Sequence, residues 1–233
     1  MNRMTPVAVF LLIAGTLVLS PCPGSAMGPG AAFFVKIIPE VTHKTADTDW
    51  APAEKTAIIA VGDRIRTAEK ALAILKFQDR SIVKVRENSE LVITGTIDAA
   101  KVIKEVDVRK GVIGFIIGKQ ERNEQFRFTS PTSVAAIRGT QGAFAVSLSA
   151  DTLIVTEGVV RFHNSVSGDS VDVAAGFTGI SGSTGSLEVR ASTPGETAAA
   201  QEAIESGETD NEFELQLKDG QGNRRKLKIE FKE

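Results

Sequence analysis

Few residues in this chain have the chemistry of a catalyst. It holds two histidines, His43 and His163, one cysteine, Cys22, one tryptophan, Trp50, and no tyrosine. A zinc site needs three or four nitrogen, sulfur or carboxylate ligands brought together. Here carboxylates would have to fill most positions, so His43 reads as a residue of a polar loop, His163 as one at a strand end, and no metal or cofactor is expected. Asp63 and Asp79 could be imagined as the paired acids of glycoside hydrolysis, but both stand in turn contexts, where aspartate caps the backbone with its own side chain. The stretch GVIGFIIGKQ (111–120) has the outline of a phosphate-binding loop. Ile113 holds the first glycine position, however, and Gln120 replaces the hydroxyl that would hold magnesium, so it reads as a buried strand. GFTGISGSTGS (176–186) lacks the Gly-x-Ser-x-Gly order of a nucleophile elbow and reads as a flexible exit from a domain. The expectation is a chain that is not an enzyme and has no catalytic residue.

The elements that would position any site are short. Runs rich in valine, isoleucine and phenylalanine recur every 8–12 residues or so, broken by glycine, asparagine, aspartate or serine. Strands are expected near 33–38, 71–77, 81–85, 91–93, 101–108, 112–117, 125–129, 142–148, 152–156, 159–163 and 170–174. Without helical crossovers this spacing predicts an all-β sandwich or barrel. RGTQG (138–142) falls between two such runs. A phosphate-cradling glycine loop would have to open a helix, and none follows, so RGTQG reads as a connection in which Gly139 and Gly142 take turn or bulge geometry.

Net charge is −2 over 233 residues, which leaves no basic excess to neutralise phosphates and disfavours nucleic acid as a partner. At the N-terminus Arg3 precedes the apolar run 7–19, and Gly24, Ser25 and Ala26 follow it, the pattern of a signal peptide over 1–26. The run is too short for a comfortable membrane span, and no later stretch approaches one. The mature chain is expected in the periplasm or secreted, with no transmembrane segment. LSPC around Cys22 has the outline of a lipobox, so a lipid anchor is the alternative; Pro21 argues against it, and loss of Cys22 with the signal peptide is preferred.

The ordered motifs Gly62-Asp63 with Thr67, Asp79 with Ser81, Pro131-Thr132, Arg138-Gly139-Thr140 and Glu157-Gly158-Val159 resemble the FecR domain family. The resemblance covers roughly 33–185 and implies a jelly-roll-like β-sandwich with no enzymatic activity. In family regulators the periplasmic module receives a signal from an outer-membrane transporter, and a cytoplasmic N-terminal segment relays it through one membrane helix to a sigma factor. A signal peptide stands here where that segment would be, so relay by this chain alone is not expected. Arg80 replaces the family's usual glycine after Asp79, which makes a type I turn the preferred geometry over one needing positive φ. Arg138 at a strand end is expected to form a charge-assisted pair with Glu157.

Trp50 is either a stacking platform for a sugar or partner, or a plug at the sandwich edge; partial burial is preferred, and the resemblance includes a tryptophan near this point. After a linker, Thr193 and Glu196 form a capping box with Pro194 at the first helical position and Gly207 as the stop, predicting a short helix within 186–207. Residues 208–233 predict a β-hairpin in which Phe213, Leu215 and Leu217 answer Leu227, Ile229 and Phe231. An isolated hairpin is marginal in water, so its apolar face must dock, either on its own sandwich or on a partner. The functional expectation is a non-catalytic interaction module that contacts envelope proteins in signalling or assembly. The alternative is a carbohydrate or cell-wall binding module using the sandwich face and Trp50.

Overall fold

The computed structural model describes residues 32–98 and 101–207, and beyond them the backbone of two further strands. The expected signal peptide, Cys22, and the side chains of the C-terminal hairpin lie outside the described residues. In chain order the elements are β1 (Ala32–Ile38), β2 (Val41–Lys44), β3 (Ala51–Pro52), β4 (Ile58–Ile59), β5 (Arg64–Thr67), β6 (Leu72–Phe77), β7 (Ile82–Val85), β8 (Glu90–Asp98), β9 (Lys101–Ile117), β10 (Glu124–Thr129), β11 (Ser133–Ile137), β12 (Thr140–Val146), β13 (Ala150–Glu157), β14 (Val159–Asn164), β15 (Ser170–Ala174), β16 (Phe177–Gly182), β17 (Leu187–Ala191), α1 (Pro194–Glu205), β18 (Glu212–Lys218) and β19 (Arg224–Glu230).

The first seventeen strands form one continuous hydrogen-bonded sheet folded into two layers, an all-β sandwich. The upper layer runs β4-β1-β6-β7-β9-β12-β13-β16-β17. The lower runs β3-β2-β5-β8-β9-β10-β11-β14-β15, antiparallel except for β9 with β10. Strand β9 belongs to both: residues 101–110 pair with β8 in the lower layer, and 111–117 pair with β12 in the upper. Gly111 stands at the join with φ +97, and a Cβ there would fall 2.2 Å from the Ser89 hydroxyl oxygen. The sequence pattern suggested two strands on either side of this glycine; they are one strand that changes layers.

Side chains alternate across each strand, as a pleat requires. Phe126 and Phe128 on β10 and Phe162 on β14 point inward from below, while Phe77, Phe115 and Phe144 meet them from above, all fully buried or nearly so. The rings form a chain across the interior, with Phe77 5.0 Å from Phe126, Phe115 5.0 Å from Phe128, and Phe144 6.2 Å from both Phe128 and Phe162. These separations suit edge-to-face and offset contacts, which add to what burial alone gives.

Two connections cross between layers side by side. β11 passes up into β12 through Arg138 and Gly139, and β13 passes down into β14 through Gly158. Gly139 has φ +68 and Gly158 φ +85, and a Cβ on Gly158 would sit 2.8 Å from the Gly139 carbonyl oxygen. The register of β12 with β13 shifts between Gln141 and Gly142, so Gly142 sits at a bulge, and a Cβ there would meet the Ile154 carbonyl at 2.2 Å. RGTQG is therefore the corner of the sandwich.

Three local expectations differ from the structure. Residues 176–186, expected as a flexible exit, form β16 and the turn into β17. Gly179 there is a packing residue: a Cβ would press on Val173 at 2.7 Å and Phe162 at 3.0 Å. The turn after Phe77 is closed by the Arg80 N–H donating to the Phe77 carbonyl at 3.0 Å, yet Arg80 itself takes φ +67, the left-handed geometry it was expected to avoid. A turn followed by a left-handed bulge residue matches the twist of the β6–β7 hairpin, and that match outweighs the arginine's preference. Finally, β2 to β5 were not separated in the sequence, because two to four residues carry no resolvable period.

Helix α1 forms where the capping box predicts. Thr193 Oγ1 accepts from the Glu196 N–H at 3.2 Å, and Glu196 accepts from the Thr193 N–H at 2.8 Å. Its small face, Ala200 and Ala203, packs on Ala143 and Ile154 of the upper layer. The approach is so close that a Cβ on Gly114 would lie 2.2 Å from the Ala203 carbonyl. Arg190 of β17 grips Glu196 with two bonds of 2.8 and 2.7 Å, and Arg86 bonds Glu202 at 2.5 Å near the other end. In the C-terminal pair, Phe213 registers with Ile229, Leu215 with Leu227, and Leu217 with Arg225.

Two predictions follow from this geometry. Gly158→Ala is expected to cost about 2–4 kcal/mol, the left-handed penalty plus displacement of the Gly139 carbonyl, whereas Gly62→Ala, at φ +98 in open space, should cost only about 1–2 kcal/mol; urea denaturation of both variants checks the ordering. The Arg190 fork, with the Thr193 N–H behind it, holds the Glu196 carboxyl down at about 2, below its ordinary 4.5. A depressed folded value means stability present above pH 4.5 and lost as pH falls towards 2. Solvent screening keeps this near 1 kcal/mol, so melting curves of Glu196→Gln should show a flatter decline between pH 4.5 and 2 than the parent chain.

Candidate functional site

The motif residues singled out in the sequence are spread over the sandwich, and most are turned inward. Asp63 is buried, and its Oδ2 accepts from the Ala60 N–H at 2.9 Å, capping the turn that Gly62 makes at φ +98. The same oxygen is 2.8 Å from His43 Nε2. His43 is thus on β2, half-buried, with its ring edge-on to Phe34; it does not lie in a polar loop as expected. His163 is on β14, with Nδ1 3.0 Å from the Ser170 hydroxyl. Thr67 Oγ1 donates to the Arg86 carbonyl at 2.5 Å and accepts from the Ser89 N–H at 3.0 Å, tying β5 to the turn after β7.

Asp79 and Asp63 do not meet as an acid pair. Asp79 Oδ2 accepts from Lys104 Nζ at 2.8 Å and Gln120 Nε2 at 2.9 Å, and Oδ1 accepts from the Ser81 N–H at 2.9 Å. Burial pushes its carboxyl up, but the bonds from Lys104, Gln120 and Ser81 outweigh it and hold the group below the usual carboxylate range. Lys104 also reaches Glu124 at 3.1 Å, so this cluster joins an upper-layer turn to two lower-layer strands.

Pro131 and Thr132 belong to a cradle the sequence did not disclose. Ser130, Thr132 and Ser133 each donate a hydroxyl to Asp151 Oδ2, at 2.5, 2.6 and 2.7 Å. Asp151 is fully buried, and its Oδ1 has no partner among the described residues. The run of hydroxyls around Pro131 was the available signal; nothing marked the acceptor 18 to 21 residues away.

Arg138 lies at the crossing corner with its side chain exposed. The expected pair with Glu157 does not form: Glu157 accepts from Gln141 Nε2 at 2.8 Å, because Gln141 is its cross-strand partner, and among the described residues Arg138 has no ion pair. Thr140 Oγ1 donates to the Val159 carbonyl at 3.3 Å, tying the two crossing connections together.

Three outward features remain. Trp50 is half-buried, with the Arg66 guanidinium 4.1 Å from its ring centroid; Arg66 in turn pairs with Glu90 at 3.0 Å. A groove of about 610 Å³ lies beside the end of α1, between Ile38, Leu72, Arg86 and Gly207. A second, of about 430 Å³, opens on the outer face of the lower layer between Arg122, Gln125, Arg138, Val159, Arg161 and Asp172. Among the described residues no three His, Cys, Asp or Glu gather as metal ligands, and no helix is long and apolar enough to cross a membrane.

Residues 63–161 match the model of the FecR protein family. Two crystal structures of a protein provisionally described as an anti-sigma factor from Parabacteroides distasonis ATCC 8503, at 1.65 and 2.50 Å resolution, are similar in fold. Each aligns with a TM-score of 0.50 at 11% identity, over 58% of this chain. The chain spans 63% and 62% of their lengths, under two thirds of either. No curated protein matches the sequence.

Asp151→Ala leaves the buried Ser133 hydroxyl and the partly buried Ser130 and Thr132 hydroxyls without their common acceptor. The expected loss is about 3 kcal/mol, from charge-assisted bonds worth more than neutral ones, measured by chemical denaturation with Asp172→Ala as the exposed control.

Proposed function

We propose that this chain is a non-catalytic interaction module, exported to the periplasm or beyond, that takes part in envelope signalling by contacting another protein. The observation that carries the reading is the match to the FecR protein family at 63–161. The similar structures described as an anti-sigma factor support a regulatory role. The polar motif groups also favour it: Asp63, Thr67, Asp79, Thr132 and Thr140 are engaged in holding turns and layers together. The apolar run at 7–19 supports export. A glycan-binding role through Trp50 is the weaker reading, because Arg66 already covers one face of the ring.

The test is crosslinking-assisted capture from a cell-envelope extract, with the full chain and a chain lacking 208–233 as parallel baits. One recurrent envelope protein is expected with the full chain; its loss with the shorter bait would assign the contact to the hairpin. Recovery of wall glycan alone, with quenching of Trp50 fluorescence by the same glycan, would replace the protein-binding reading.

A further inference from the structure

We propose that the concavity between Arg122, Arg138 and Arg161 docks an acidic peptide segment of the protein partner, an inference that rests on the interaction reading above. The groove, about 430 Å³, lies on the outer face of β10, β11, β14 and β15, whose registers are fixed by continuous pairing. Such a volume accommodates a few side chains of a peptide.

Charge decides the kind of occupant. The two acids in the groove wall are already answered: Asp172 pairs with Arg161 at 3.0 Å, and Glu124 with Lys104 at 3.1 Å. Arg122 and Arg138 are exposed, and among the described residues neither side chain has an ion pair or hydrogen bond. Lys119, also exposed, packs across Gly139, its Cγ 3.1 Å from where a Cβ would stand, and adds a cation next to Arg138. In a chain of net charge −2 these three cations form a local cluster with no ion-pair partner among the described residues.

Guanidinium groups present paired donors that match carboxylates two bonds at a time. The same fork would accept phosphate, but the walls favour peptide. Val159, 52% exposed, offers an apolar contact, and Gln125 supplies an amide for a backbone group. Arg138 is held in place from below, since Gly139 and Gly158 fix the corner from which it projects.

The experiment is fluorescence anisotropy with the full chain and a labelled peptide in which aspartate and glutamate alternate with valine and leucine. Its asparagine and glutamine isostere, inorganic phosphate, and phosphatidylglycerol vesicles serve as separate arms. Saturable binding of the acidic peptide is expected, weakened about tenfold or more in R122Q/R138Q and by raising salt from about 50 to 500 mM. K70Q, at Lys70 in the wall of the groove beside α1, should bind as the parent does. Arg122 and Arg138 are both exposed, so the variant should melt as the parent does, which separates lost binding from lost fold. Equal binding of the isostere, undiminished binding by R122Q/R138Q, or binding of phosphate or vesicles in place of peptide overturns the proposal. An envelope protein captured equally well by R122Q/R138Q leaves the interaction reading standing and removes this groove from it.

Discussion

The Gly139 carbonyl resting against the α-carbon of Gly158 is the contact on which the sandwich turns. Here two connections pass between layers side by side, and backbone meets backbone with no side chain between. A paired ribbon, β11 with β14 below and β12 with β13 above, can then fold over without leaving a run of amides unpaired inside, where each would cost as much as a lost hydrogen bond. Thr140 closes the remaining gap through the Val159 carbonyl. The inward positions pass from Ile137 to Thr140 on one strand and from Val155 to Val160 on the other, so Phe144 and Phe162 reach the same interior from opposite layers.

Away from the corner, buried polar clusters pin the layers at separate points. Asp79 with Lys104 and Gln120 joins the β6–β7 turn to β9. Asp151 gathers the hydroxyls that precede β11, and Asn164 bonds Ser181 at 2.8 Å and the Gly182 carbonyl at 3.0 Å. Each takes a polar group out of water and is tolerable only because partners are in place. What they specify is which loop meets which strand, a choice that the phenylalanine chain, non-directional as hydrophobic contact is, does not make.

Most strands longer than five residues were legible because their apolar alternation exceeds the noise of composition; the six-residue β16, rich in glycine, was not. Gly139 and Gly158 could be recognised as turn residues from the dipeptides around them, but not as neighbours. Gly179 was misread because glycine that yields space to Phe162 and glycine that lets a chain flex look identical in one dimension. Asp151 was invisible for the same reason: a lone aspartate before a strand ordinarily caps a turn. The helix start was clear because a capping box is local. Arg138 shows the limit from the other side. Its charge suggested Glu157 nearby in the fold, but Gln141 stands directly across the ladder and takes that carboxylate first.

Strand β9 is a beam common to both floors of the building. Seven of its residues are laced into one layer and nine into the other, with Gly111 at the landing. Neither floor can be lifted away while the beam remains whole, so loosening one must loosen its counterpart, and the module melts or endures as a unit. A domain built this way is poorly suited to conveying a message by shifting its layers past each other. Under the signalling role proposed above, it would convey one by being occupied or vacant: a neighbour would sense the altered outer face, carried on a frame laced through both layers by one strand.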